Sequence, residues 1–199
     1  MKKLLVATRN RGKVAELLSL LDDLPFELLT LDDFENVTDV EETGSTFIEN
    51  AKLKSLEYAK QTNCLTLADD SGLEVEALDG APGVYSARYS GENASDKDNI
   101  DKLLRELNAK KDQSRLARFV CAMSISDPSQ NLFYGEGYCP GKIALSPIGS
   151  GGFGYDPVFV PAGYQRTFGE LSAKTKKKVS HRSIALKKII RFLSEIASY

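Results

Sequence analysis

Tryptophan is absent, and histidine occurs once, at position 181, in a chain of 199 residues. One histidine excludes a multi-histidine metal site and leaves little room for a Ser-His-Asp triad. Cysteine is scarce as well. Cys64, Cys121 and Cys139 are odd in number, far apart and without CxxC spacing. They supply no zinc or dithiol motif, and they fit a reducing, cytoplasmic setting. Long apolar runs are missing. None would span a bilayer, and the run at residues 4–7 is too short for the core of a signal peptide. Neither sign of charge dominates, with 26 Lys and Arg against 28 Asp and Glu and a net charge of -2. Nucleic-acid and membrane-surface binders usually carry a strong basic excess, so neither is expected as a partner.

Hydrophobic residues make up 42% of the chain, enough for a sizeable core in one domain over residues 1–199 or in two tightly joined lobes. Residues 4–7 read as a strand entering the polar turn TRNRGK. A helix follows, with Val14, Leu17, Leu18 and Leu21 at i, i+3, i+4 and i+7. Residues 26–31 read as a second strand. Thr46 and Glu49 have capping-box spacing at the start of TFIENAKLKSLEYAKQ. Residues 65–68 read as a short buried strand and residues 75–78 as another. Ser95 is placed to cap a helix whose face is Ile100, Leu103, Leu104 and Leu107. RLARFVCAMSISD and LFYGEGYC, separated by PSQN, read as a hairpin. PVFVP is a short strand, and Ser180 precedes a last helix with Leu186, Ile189, Ile190, Leu193 and Ala197 on one face. Early alternation of strands and helices with a hairpin in the middle predicts an α/β fold, a mixed sheet with helices on its faces.

Five segments could carry chemistry. TRNRGK, residues 8–13, places Thr8, Asn10, Gly12 and Lys13 at a strand-to-helix turn, an arrangement that suits anions as well as simple capping. EETGSTFIENAKLKS holds Glu41 and Glu42 before a helix and Lys54 along it. Adjacent residues point apart, so one of the two glutamates is expected to reach a divalent metal. Asp69 and Asp70 stand at the end of an apolar run, before Ser71 and Gly72. A carboxylate there can ligate Mg²⁺ or accept a proton from water; an Asx turn is the simpler reading. GSGGFGYDP has four glycines over residues 149–154, with Phe153 and Tyr155 available to stack on a base and Asp156 to accept from its edge. KTKKKVSHR is the densest basic run. It is either a solvated face or a cationic approach to phosphate, with His181 as a hydrogen-bonding residue rather than a general base. Together, acidic residues for a hard metal, lysines for phosphates and a glycine-aromatic loop for a base fit a nucleoside triphosphate with Mg²⁺.

The same segments, in the order LLVATRNRGKVAEL, EETGSTFIENAKLKS, LADDSGLEVEALDGAPGVYSARYSG, GSGGFGYDP and KKKVSHRSIAL, closely resemble the Ham1/RdgB family of noncanonical purine nucleoside triphosphate pyrophosphatases nearly end to end. The resemblance implies Mg²⁺-dependent hydrolysis of XTP, ITP and dITP to the monophosphate and pyrophosphate. It implies an elongated, twisted mixed sheet, two lobes around a cleft, and a homodimer. It implies a triphosphate turn formed by Thr8, Arg9, Asn10, Arg11, Gly12 and Lys13. Asp70 matches the proton acceptor and metal ligand, with Asp69 beside it, and Glu41 a further metal ligand. Lys54 and Ser71 match substrate positions. Phe153, Gly154, Tyr155 and Asp156 match the base loop, Lys176 a substrate lysine, and His181 and Arg182 the base-reading pair. Arg9 departs from the pattern, since relatives commonly have glycine there; it points to solvent or adds a phosphate contact. Hypoxanthine and xanthine carry a 6-oxo acceptor where adenine has an amino donor, so donors such as Arg182 would favour them. Each buried polar group left unpaired costs roughly 1–3 kcal/mol.

Overall fold

The computed structural model describes residues 2–110 and 114–197. Strand β1 (Lys2–Val6) buries Leu4, Leu5 and Val6 completely. Helix α1 (Arg11–Leu21) starts where the Asn10 side chain accepts the Lys13 N–H, and it buries Leu17 and Leu21. The chain returns as β2 (Phe26–Thr30), parallel to β1 with Lys2 opposite Phe26. Helix α2 (Phe47–Thr62) begins with the capping box expected at Thr46 and Glu49. Strand β3 (Leu65–Val75) then pairs parallel with β1, Leu4 opposite Leu65. Helix α3 (Asp96–Ala109) is capped by Ser95. Strands β4 (Leu116–Ser126) and β5 (Asn131–Ile143) flank a turn in which the Asp127 carboxylate accepts the Ser129 and Gln130 N–H groups. Strand β6 (Phe159–Pro161) pairs antiparallel with β5. Helices α4 (Ala173–Val179) and α5 (His181–Ala197) complete the order. The strands form one six-stranded sheet in the order β2-β1-β3-β4-β5-β6, with parallel and antiparallel pairs, so the α/β fold with a mixed sheet and flanking helices is confirmed.

The chain divides into two compact units. The first comprises Met1–Asp70, Cys121–Gly137 and Arg182–Tyr199; the second comprises Ser71–Val120 and Tyr138–His181. The core of the first is built from Leu4, Val6, Leu17, Leu67, Met123 and Leu186. That of the second is built from Leu73, Val75, Leu103, Val158, Phe159 and Phe168. Each such side chain, fully withdrawn from water, contributes about 1.5–3 kcal/mol.

Two expectations are corrected, and one open alternative is narrowed. The strand expected over residues 65–68 continues to Val75, so Ser71 and Gly72 do not turn the chain. Leu73 and Val75 beyond them are fully buried, and the Leu73 N–H donates to Ser86 Oγ at 2.9 Å; tertiary burial overrides the local turn chemistry. Residues 75–78 are not a strand: Val75 ends β3, and Glu76–Leu78 form a single 3-10 turn closed by Asp79 at a φ of 54°. The lysine run is not merely a solvated stretch. It forms α4, capped by the Ser172 side chain on the Thr175 N–H, with Lys176 buried.

Candidate active site

Because β3 stays extended through Asp69 and Asp70, their side chains leave opposite faces of the strand. The sequence therefore builds two different carboxylate environments from adjacent residues. Asp69 is fully buried, and its Oδ2 lies 3.1 Å from Lys13 Nζ and 3.3 Å from Arg182 Nη2. Arg182, at the start of α5, also closes on Glu16 of α1. Burial alone would raise the Asp69 carboxyl, but Lys13, Arg182 and Lys54 outweigh it and hold it well below the ordinary carboxylate range. Burial would likewise disfavour the Arg182 charge; Asp69, Cys121 and Glu16 overcome it and raise its pKa. Asp69 is thus a locked anion that fixes Lys13.

Asp70 is treated differently. Its Oδ2 accepts the Asn50 amide at 3.1 Å, and its Oδ1 lies 3.6 Å from Lys54 Nζ. Asn50 and Lys54 are four residues apart on α2, which puts them on one face. Burial pushes the Asp70 carboxyl up, Lys54 and Lys13 pull it back, and Glu42 adds to the rise; the net shift is upward. Lys54 meets Glu42 at 2.5 Å. Burial opposes the Lys54 charge, but Asp70, Glu42 and Asp69 prevail and raise its pKa.

The loop carrying Glu42 is tethered by the same asparagine: Asn50 Oδ1 accepts the Gly44 N–H at 2.7 Å. A Cβ on Gly44 would lie 2.7 Å from that oxygen, so only glycine allows the approach. The structure brings Glu42 to Lys54, while Glu41, the metal ligand the resemblance implies, is exposed. Within the first unit Glu16, Glu42, Asp69 and Asp70 face Lys13, Lys54 and Arg182, four carboxylates against three cations. Among the described residues no three His, Cys, Asp or Glu side chains gather into an all-protein metal cage. Mg²⁺ needs no such cage. It takes one or two carboxylates, keeps waters and uses substrate phosphates, so the oxygen donors of Asp70 and Glu42 fit it.

The remaining residues of the 8–13 turn are accounted for locally. Thr8 Oγ1 accepts the Asn10 N–H at 3.3 Å, and Asn10 caps α1. Arg9 is engaged by Asp39 and by the Val37 carbonyl, the latter at 3.1 Å. Arg11 is exposed and Gly12 partly so, in the first turn of α1. Ser71 is partly buried, one residue beyond Asp70 on β3.

In the second unit Lys176 Nζ lies 2.5 Å from Asp156 Oδ2 and 4.7 Å from the Phe153 ring centroid. The same Asp156 oxygen accepts the Phe153 N–H at 2.9 Å. Gly152 has a φ of +75°, and a Cβ on it would sit 1.9 Å from Asp156 Oδ2, so the glycine is what lets the loop close on the carboxylate. Asp156 is nearly inaccessible and already engaged, so it positions Lys176 and Phe153. Tyr155 is a core residue whose hydroxyl donates to the Ser86 carbonyl at 2.9 Å; Phe153 is the aromatic left partly open. His181 stacks on Phe119 with ring centroids 4.6 Å apart. His181 thus belongs to the second unit, and its neighbour Arg182 to the carboxylates of the first.

Glu16, Asn50 and Asp156 in its actual role were not foreseen. Glu16 stands three residues after Lys13, and Asn50 four before Lys54, so helical spacing was the available signal.

A family model described as the Ham1 family matches residues 4–192, and the chain belongs to that family. Among its relatives is a dITP/XTP pyrophosphatase from Geobacter sulfurreducens, 50% identical over 186 residues, covering 94% of this chain and 94% of the relative. Another, from Oceanobacillus iheyensis, is 43% identical and covers 98% and 100%. Among solved structures, a HAM1 protein from Coxiella burnetii has a TM-score of 0.89 at 43% identity, covering 98% of this chain and 100% of that one. The Staphylococcus aureus Ham1 protein has a TM-score of 0.86 at 43% identity, covering 98% and 99%.

Proposed function

We propose that the chain is a pyrophosphatase that hydrolyses the noncanonical purine nucleotides XTP, ITP and dITP to the monophosphate and pyrophosphate. The observation that carries this reading is the pair of adjacent aspartates in different settings, one between Lys13 and Arg182 and one held by Asn50 and Lys54. Relatives at 43–50% identity named dITP/XTP pyrophosphatase support it.

Asp70 accepts a proton from water as the water oxygen attacks the α-phosphorus. Asn50 and Lys54 hold the carboxylate in place for that role. The bond from the α-phosphorus to the bridging oxygen breaks, and pyrophosphate leaves. Lys13 and Lys54 face the charge that accumulates on the phosphate oxygens, and Asp69 keeps Lys13 in place. Mg²⁺, held by Asp70 and Glu42, would supply further neutralisation of the polyphosphate. Phe153, Lys176 and His181 are assigned to the base. The resemblance gives Arg182 a base-reading role too; its pairing with Asp69 and Glu16 supports a positioning role in the phosphate half. A cytoplasmic homodimer completes the reading, with the 60% exposed Tyr85 in the 83–88 turn supporting an apolar contact.

A panel of ITP, XTP, dITP, ATP and GTP with Mg²⁺, with pyrophosphate and orthophosphate quantified separately, tests it. Pyrophosphate from the first three is expected, with ATP about 10- to 100-fold less efficient, as one unpaired polar group would impose. Orthophosphate as the product, or comparable turnover of ATP and ITP, would refute the reading.

A further inference from the structure

We infer that Asp96 is a positioning residue for base selection: from the first turn of α3 its carboxylate accepts the Gly154 N–H at 2.7 Å and so fixes the loop that presents Phe153. The inference rests on the assignment of that loop to the base.

The loop needs outside restraint. Gly149, Gly152 and Gly154 have φ values of +84°, +75° and +59°, and glycine at such positions leaves wide conformational freedom to be removed. Its base is held by backbone bonds, Ile148 N–H to Pro157 at 2.8 Å and Gly151 N–H to Gly169 at 2.9 Å. At the tip, between Phe153 and Tyr155, the Gly154 N–H goes to Asp96, 58 residues away in the chain. The helix end that offers Asp96 is itself anchored. Buried Asn99 accepts the Ser90 N–H at 2.7 Å and donates to the Ala87 carbonyl at 3.1 Å.

Nor is Asp96 needed to cap the helix. That work is done by Ser95 and Asp98, whose side chains exchange hydrogen bonds with each other's backbone N–H. Two acidic residues in one helical turn therefore have different employment: Asp98 closes the helix, and Asp96 reaches across to the loop.

The test compares Asp96→Ala, Asp96→Asn, Asp98→Ala and Phe153→Ala by kcat and KM for ITP and by Tm. Asp96→Ala is expected to raise KM about 5- to 10-fold, the ordinary net worth of one hydrogen bond, with kcat within about twofold. Asp96→Asn keeps an acceptor at the same place and is expected to restore KM to within about threefold of the parent. Asp98→Ala is expected to lower Tm and leave KM unchanged, which a general effect of helix fraying would not allow. Phe153→Ala separates the two levels of the claim. An unchanged KM there removes the loop from the base and overturns the inference with it. A raised KM in Phe153→Ala beside an unchanged one in Asp96→Ala overturns the role of Asp96 alone. Asp96→Asn as impaired as Asp96→Ala, or Asp98→Ala with an equal rise in KM, also overturns it.

Discussion

Asp70→Asn is expected to lower kcat for ITP by about 10²–10⁴-fold, the usual worth of a positioned general base, while Tm stays level or rises. The two halves of that result have one cause. Burial raises the folded-state pKa of Asp70 above the unfolded carboxylate value of about 3.9. Its contribution to stability is therefore present below the unfolded value and is lost as pH rises through the folded one. At neutral pH the ionised carboxylate is a net cost that asparagine removes, and the amide can still accept from Asn50. Asp69 has the opposite sign. Its lowered pKa gives stability that is present above the unfolded value and is lost as pH falls, so Asp69→Asn is expected to lower Tm. Steady-state pyrophosphate release and calorimetry on the two variants check the contrast. Retained turnover in Asp70→Asn would remove Asp70 as the proton acceptor.

Arg182→Met is expected to cost about 3–5 kcal/mol of stability, because removing one partner of a buried ion pair strands the others. Fully buried Asp69 would keep Lys13 but lose the guanidinium, and Glu16 would lose the same guanidinium at the start of α5. For a chain of this size that is a fall in Tm of roughly 6–20 °C. Arg182→Lys is expected to recover only part of it, since one ammonium does not reproduce the planar fork that meets both carboxylates. Urea unfolding measures both. A change in base preference with a stability loss under about 1 kcal/mol would instead place Arg182 with the base and undo its role as the strut of the phosphate half.

Much of this was legible in the sequence. The helix starts at Thr46 and Ser95 follow from local hydrogen-bonding chemistry, and both capping boxes are present. Apolar spacing marked α1, α3 and α5, because each buries one stripe. What failed was decided by distant packing. Ser71-Gly72 is good turn chemistry, yet burial of Leu73 and Val75 keeps the strand going, and that extension is what separates the two aspartates. The lysine run read as either a solvated face or an approach to phosphate; that Lys176 is the buried one depends on Asp156, twenty residues away. That Glu42 rather than Glu41 meets Lys54 could not be read from adjacent identical side chains, because it depends on how Asn50 holds Gly44.

Glu42, Lys54 and Asp70 are proposed to form the metal-phosphate centre. Its most direct test is the Mg²⁺ concentration dependence of pyrophosphate release from ITP in Glu42→Gln and Glu41→Gln. Loss of one of two protein carboxylates predicts at least about a tenfold higher Mg²⁺ requirement for Glu42→Gln, and an unchanged one for Glu41→Gln. A shifted requirement in Glu41→Gln with a parental one in Glu42→Gln would contradict it.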